Sequence, residues 1–401
     1  MRAVPLHGRH SLHRNTIHRN HRSFWDFLNE HLFAPATVFV KKQAVLCIAL
    51  VVMVITCILV PPDAHYLGYF DLQTLATLFC TLAVVAAFSH IHLFEVISKT
   101  IVIKLHTLRN ATIGLVLITF VGSMLLANDM ALLTFLPLGF FVLNSTGNKQ
   151  AMVFVFIMQN IAANLGGMVT PFGNPQNLYL YSYFNIDTVE FVQIMLPSFL
   201  TATLLIIAIC FLVKPTPLTL KNDEEYHLPV GRTVIYSVLF VCSILIVFRV
   251  IPYLAGTLVI TAILLFLDKK SIKEVNYPLL ATFCAFFIFS GNLARIEAVS
   301  NFFSNLLPMN TLLFGILSCQ CISNVPSAVL LSHFTTDYAS LLPAVNIGGL
   351  GTLIASLASL ITFSEYKKHS PEKTKKYILM FTAINFAFMA VLYVVQSLVL
   401  R

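Results

Sequence analysis

The sequence predicts an all-α polytopic membrane protein of two inverted-topology repeats. Each repeat carries a re-entrant hairpin and a broken transmembrane helix, with about nine full crossings in addition to the two hairpins. Three observations predict it. Of 401 residues, 58% are hydrophobic and only 10% charged, where a soluble domain carries about a quarter charged. Residues 164–178 (Asn-Leu-Gly-Gly-Met-Val-Thr-Pro-Phe-Gly-Asn-Pro-Gln-Asn-Leu) and 346–360 (Asn-Ile-Gly-Gly-Leu-Gly-Thr-Leu-Ile-Ala-Ser-Leu-Ala-Ser-Leu) are one phrase written twice. Without a gap, Asn164 lies on Asn346, Gly167 on Gly349, Thr170 on Thr352 and Leu178 on Leu360. Finally, the basic residues behind the net charge of +8 lie between the apolar stretches. There they report orientation across a bilayer and give no reason to expect a nucleic-acid partner.

Taken in order, residues 1–40 read as a cytoplasmic basic tail rich in Arg and His, ending in an interfacial helix over 23–34 with Phe24, Trp25, Phe27 and Leu28 for the headgroup boundary. The first repeat spans 41–213. Crossing one, 43–61, stops at Pro61-Pro62-Asp63, and crossing two, 69–88, opens with Asp71. A connector with Lys99, Lys104 and Arg109 leads to residues 111–143, two apolar arms on either side of Asn128-Asp129. Each arm falls short of the roughly 20 residues that a full span needs, so the segment reads as a hairpin that enters and leaves on one side. Crossing three is the broken helix 150–184 and crossing four is 193–213.

Residues 214–231 form a polar cytoplasmic linker, and 232–401 the second repeat with one extra linking helix. Crossings five to seven lie at 232–251, 253–267 and 277–293. A second hairpin, 309–338, is interrupted at Ser323-Asn324-Val325-Pro326; crossing eight is the broken helix 340–363 and crossing nine is 377–400. With the N-terminus in the cytoplasm and the C-terminus outside, 22 of the 25 basic residues fall on the cytoplasmic side, leaving only Arg249, Arg295 and Arg401 outside. The same arrangement makes the first hairpin enter from the cytoplasm and the second from outside, so the repeats are inverted. An echo of Leu75–Cys80 in Leu279–Cys284 precedes each hairpin. The eight cysteines, all in apolar runs without a CxxC, read as small buried hydrophobes.

Gly, Pro, Asn, Ser and Thr inside a membrane helix leave main-chain groups unpaired, and lipid cannot satisfy them, so such backbone must line a protein cavity. The residues expected to bind substrate or ion are Asn128, Asp129, Asn164, Gly167, Thr170, Gly173, Asn174 and Asn177 in the first half. Ser323, Asn324, Ser327, Asn346, Gly349, Thr352, Ser356 and Ser359 are their counterparts in the second. Asn, Ser and Thr oxygens suit Na⁺, half-helix N-termini suit an anion, and glycines let backbone approach the ligand. Asp129 is the one carboxylate placed deep in the membrane, as cation ligand or protonatable coupling site. No catalytic constellation and no nucleotide-binding loop accompanies these residues, so neither an enzyme nor a pump is expected, and no cofactor beyond a coupling Na⁺ or H⁺.

The tips Ala127-Asn128-Asp129 and Ser323-Asn324-Val325-Pro326-Ser327, with Thr170-Pro171-Phe172-Gly173-Asn174-Pro175-Gln176-Asn177 and the 346–357 phrase, resemble the ion transporter superfamily. That group contains divalent-anion/sodium symporters, citrate transporters, arsenite permeases and one class of sodium/proton antiporters. Its symporters bind carboxylate and Na⁺ at a Ser-Asn-Thr triplet on each hairpin tip. Here the triplets are Ala-Asn-Asp at 127–129, similar to arsenite permeases, and Ser-Asn-Val at 323–325, similar to the citrate branch. The resemblance implies a homodimer with a fixed scaffold and a moving transport part. The function expected is secondary active transport of a small anion, a di- or tricarboxylate or an inorganic oxyanion, coupled to Na⁺ or H⁺ by an elevator-type alternating access in the cell (inner) membrane. The alternatives are cation/proton antiport centred on Asp129 and arsenite-type efflux.

Overall fold

In the computed structural model, residues 43–93, 96, 105–218 and 228–400 are described, and helices carry most of the packing. One isolated antiparallel bridge, Thr107 to Pro217, is the sole β pairing among the described residues. The expected basic tail, its interfacial helix, Lys99, Lys104, the middle of the linker and Arg401 lie outside the described residues.

The first half runs through α1 (Ala44–Leu59), α2 (Leu72–His90), α3 (Leu108–Leu125), α4 (Asn128–Ser145), α5 (Met152–Gly166), α6 (Pro175–Tyr183) and α7 (Thr188–Cys210). The second runs through α8 (Val230–Val247), α9 (Tyr253–Leu267), the short α10 (Lys269–Lys273), α11 (Tyr277–Ala294) and α12 (Glu297–Leu306). It continues with α13 (Thr311–Ile322), α14 (Asn324–Leu331), α15 (Tyr338–Ile347), α16 (Leu357–His369) and α17 (Thr374–Val399). Helix starts follow their caps. Asp71, Asp187, Asn276, Asn310 and Asp337 each accept a first-turn N–H, of Thr74, Val189, Leu279, Leu313 and Ser340 respectively, satisfying a donor the helix leaves orphaned.

Both expected breaks are present, and they arise differently. In the first, Thr170 precedes Pro171 and Asn174 precedes Pro175; the proline ring drives the residue before it out of the helical region. Both residues are extended, at φ −114°, ψ 142° and φ −135°, ψ 141°. The second break contains no proline. Gly351 takes φ +104°, a left-handed conformation that costs glycine nothing, and Ser356 is extended at φ −148° before capping α16.

The packing interleaves the halves. α3, α4 and α5 pack together, and the helix that fills their remaining side is α16, from the second half. Conversely α13, α14 and α15 pack together and receive α6, from the first. Around these, α1 lies along α11, α2 against α8 and α9, and α7 against α17. α5 is the most enclosed element, with every residue from Met152 to Gly166 buried except Phe154.

Among the described residues, seven helices are long and apolar enough to cross a bilayer: those containing α2, α3, α5, α7, α8, α11 and α17. Six are expected crossings. The seventh, α3, was expected to be a short hairpin arm; Thr107 caps it early, so Leu108, Arg109 and Asn110 join the helix and both α3 and α4 reach 18 residues. Among the other expected crossings, α1 has 16 residues, α9 has 15, and the second broken helix consists of α15 and α16. The second pair has short arms, 12 and 8 residues, joined through Ser323 alone; Asn324, Val325 and Pro326, expected in the interruption, already belong to α14. Proline is tolerated in a first turn, where its missing N–H would be unpaired anyway. The cysteine expectation needs correcting: Cys80, Cys210 and Cys319 are buried, Cys47, Cys57, Cys242 and Cys284 are half-buried, and Cys321 is exposed; all eight are free thiols.

Candidate functional site

Contacts around the two breaks repeat position by position. Asn128 and Asn324 open α4 and α14, and each turns its side-chain oxygen to accept from the next residue's N–H, Asp129 and Val325, both at 2.9 Å. Four residues before each, Met124 and Gln320 offer a carbonyl that accepts from the break threonine: Thr170 Oγ1 at 2.9 Å and Thr352 Oγ1 at 3.5 Å. Immediately before those, Ser123 and Cys319 sit so close to Gly166 and Gly348 that an added Cβ would lie 2.5 Å from Ser123 Oγ and 2.7 Å from Cys319 Sγ. Only glycine permits that approach.

The halves then bond to each other reciprocally. Asn174 Nδ2 donates to Asn346 Oδ1 at 3.0 Å, and its counterpart Ser356 donates through Oγ to Asn164 Oδ1 at 2.9 Å. Asn164 Oδ1 also accepts from Asn128 Nδ2 at 3.2 Å, and Asn346 Oδ1 from Gln176 Nε2 at 3.2 Å. Asn346 Nδ2 donates to Asn177 Oδ1 at 2.6 Å. All these side chains are buried. Further along, Ser359 Oγ accepts from Asn160 Nδ2 at 3.4 Å, and Thr362 Oγ1 donates to Asn160 Oδ1 at 3.2 Å.

A cavity of about 30 Å³ lies at the centre. It has room for a water molecule or a bare monovalent ion, far below the 300 Å³ or more of a pocket enclosing a drug-sized ligand. Its lining includes Asn128 and Asp129 from α4, Pro175 and Gln176 from α6, Asn324, Val325 and Pro326 from α14, and Ser356 and Leu357 at the start of α16. Four helices thus point their N-terminal ends at one small space. Each end carries roughly half a positive charge, about +2 together, against one carboxylate, Asp129. No Lys, Arg or His lines the cavity among the described residues, and Thr282 and Phe286 of α11 close its side. Two oxygens nearby, Gln176 Oε1 and Asn174 Oδ1, are buried without a hydrogen-bond partner among the described residues.

Of the expected site residues, Asn128, Asp129, Ser323, Asn324 and Ser356 line the cavity. Asn164, Thr170, Asn174, Asn177, Asn346, Thr352 and Ser359 form the network behind it. Gly167 and Gly173 face each other, an added Cβ on Gly167 lying 2.6 Å from the Gly173 oxygen, and Gly349 lies between Asn324 and Asn164. Ser327 stands apart, paired with Ser318 at 2.9 Å. The reading of the sequence missed Gln176, Asn160, Gln320 and Thr282. Asn160 and Gln320 are amides inside largely apolar runs, a signal that a rule of buried polar residues in membrane helices would have caught, and Gln176 stands beside Asn174 and Asn177 in the first break's own phrase.

Residues 32–343 match the family described as citrate transporter. The chain is 33% identical over 251 residues, 62% of this chain and 69% of the relative, to an uncharacterized transporter of Methanocaldococcus jannaschii. It is 28% identical over 278 residues, 67% of this chain and 73% of the relative, to the inner membrane protein YbiR of Escherichia coli. With breaks, tips and cavity placed as above, the chain is a multi-pass integral membrane protein belonging to the citrate transporter family of the ion transporter superfamily.

Proposed function

We propose that the protein is a secondary active transporter of a small carboxylate anion, coupled to a cation, Na⁺ or H⁺, and working by alternating access between two inverted repeats. The observation that carries this reading is the convergence of four helix N-termini on one cavity. About +2 of helix-end charge set against the single Asp129 carboxylate leaves a net attraction for an anion. Asp129 in turn calls for a cation, so that substrate and coupling ion neutralise each other while water is excluded. The family's description favours a carboxylate among the anions. A cavity of about 30 Å³ is too small for a tricarboxylate, so substrate entry requires the hairpin tips to part from the breaks.

The matched contacts around Asn128 and Asn324 support a duplicated unit. Opposite insertion of the two copies rests on the distribution of basic residues, and contacts agree with it. His90 bonds to Asp268 and Glu274, joining segments assigned to the cytoplasm, while Asp63 pairs with Arg295 on the side assigned to the exterior. The re-entrant nature of the hairpins, an elevator movement, a homodimeric scaffold and residence in the inner membrane belong to the same proposal, the last supported by the inner-membrane relative.

Uptake of labelled citrate, and of arsenite as the oxyanion arm, into proteoliposomes with imposed pH or Na⁺ gradients tests it. Gradient-driven uptake that collapses in Asp129→Asn is expected. Flux indifferent to both gradients would make the protein a channel and overturn the reading. A second reading, cation/proton antiport, is favoured by Asp129 being the one charged side chain in the lining; sodium-driven proton movement without any anion would establish it instead.

A further inference from the structure

Both breaks expose main-chain carbonyls, and in both a side-chain amide nitrogen sits among them. In the first, Asn177 Nδ2 lies 3.1 Å from the Gly167 oxygen, 3.2 Å from Met168 and 3.2 Å from Thr170. In the second, Gln320 Nε2 lies 2.8 Å from the Gly348 oxygen and 2.9 Å from the Leu350 oxygen of the break, with the Ile316 oxygen of its own helix, α13, at 3.3 Å. An amide nitrogen has two hydrogens, yet each of these faces three carbonyl oxygens. A bowl of carbonyls round one positive centre is the coordination that a bare cation would otherwise receive.

The orientation of both amides is fixed by their other ends. Gln320 Oε1 accepts from Thr352 N at 2.9 Å, and Asn177 Oδ1 accepts from Asn346 Nδ2 at 2.6 Å. Turning either amide over would aim an oxygen at three oxygens and a nitrogen at a donor. The two plugs also come from different places. Asn177 belongs to α6, within its own break's phrase, whereas Gln320 reaches in from α13, and Gly351 leaves room for it, an added Cβ there lying 2.9 Å from Gln320 Cδ.

We propose that Asn177 and Gln320 serve as built-in substitutes for bound cations at the two helix breaks, leaving Asp129 as the single position where the protein takes up a coupling cation. The inference rests on the transport reading above and deepens it. With these break carbonyls engaged by amides, the side-chain oxygens left without a partner near the cavity among the described residues are Gln176 Oε1 and Asn174 Oδ1, beside the Asp129 carboxylate, which alone carries a charge to hold a cation. The transport cycle therefore couples to one cation, and a metal ion is not needed to hold either break together.

The test needs no transport substrate, so its failure is separable from failure of the transport reading. Thermal unfolding of the purified full chain is followed while sodium chloride replaces choline chloride at constant ionic strength, since a ligand of the folded state raises apparent stability by mass action. In the wild type, either no sodium-specific rise in Tm or one with a Hill coefficient near one is expected, and none in Asp129→Asn. Gln320→Glu removes the nitrogen and adds a negative oxygen among the carbonyls. It is expected to gain a sodium-specific rise of about 2–4 °C. Should that variant fail to fold, Asn177→Asp makes the same exchange in the other half. A sodium-specific rise that persists in Asp129→Asn, a wild-type Hill coefficient near two, or folded Gln320→Glu and Asn177→Asp without a sodium response would each overturn the proposal.

Discussion

Replacing Asn346 by alanine probes the clasp between the halves. Its side chain accepts from Asn174 and Gln176 and donates to Asn177 and to the Leu342 carbonyl. Truncation leaves Asn174 Nδ2 a second acceptor, the Asn164 carbonyl at 3.0 Å. Gln176 Nε2 and Asn177 Oδ1 lose their Asn346 partner. Leaving a buried polar group unsatisfied costs about 1–3 kcal/mol. Side-chain hydrogen bonds measured in membrane helices average about 0.6 kcal/mol, so four of them come to about 2.4 kcal/mol. The two routes overlap at about 2–3 kcal/mol. The internal control is Asn385→Ala in α17, also buried, which removes one bond to its own helix's Phe381 carbonyl and an oxygen that already lacks a partner; it should cost about 0.6 kcal/mol. Both variants are compared by thermal unfolding in the same detergent. If Asn346→Ala loses no more stability than Asn385→Ala, the reciprocal network does not hold the halves together and the reasoning fails.

Three further outcomes are expected. Gly166→Ala should abolish folded protein on size-exclusion chromatography, because its Cβ would collide with the Phe120 carbonyl and Ser123, whereas Gly231→Ala, with open space around it, should be silent. Ser323, at φ +75° and ψ 159°, occupies backbone space open in practice to glycine alone, where other residues are strained by about 1–3 kcal/mol. Ser323→Gly should therefore raise Tm; a fall would show that its hydroxyl matters more than the strain. Arg295, hydrogen-bonded to Asp63, holds that exposed carboxyl below its ordinary value. A depressed folded pKa stabilises above the unfolded value, about 3.9, and that contribution is lost only as pH falls through the lower folded one. The difference in Tm between wild type and Asp63→Asn should consequently stay flat from about pH 5 to 8 and shrink only below about pH 4.

The first break was legible because proline announces it: Pro171 and Pro175 dictate extended residues before them. The second was legible only as a copy, since Gly348, Gly349 and Gly351 are also what close helix packing uses. The helix interruptions at 126–127 and at Ser323 are narrower than the expected ones. An apolar count cannot see that Asn128 and Asn324 start helices by bonding the following N–H, so both residues looked like loop. Gln320 and Asn160 escaped because an amide in a largely apolar run has no period that marks its role; its meaning comes from carbonyls 28 or more residues away or from a partner in the other half. The interleaving of α6 and α16 was likewise invisible, being a matter of which half each segment packs in.

That interleaving bears on how the chain is made. The ribosome delivers α6 before any of the α13–α15 group that will enclose it, and α3–α5 wait for α16, one of the last helices synthesised. Until then Asn160 and Asn164 have no Thr362, Ser359 or Ser356 to meet. Maturation therefore ends with a late mutual insertion, and a chain that stops short of it leaves these buried polar side chains without their partners from the other half.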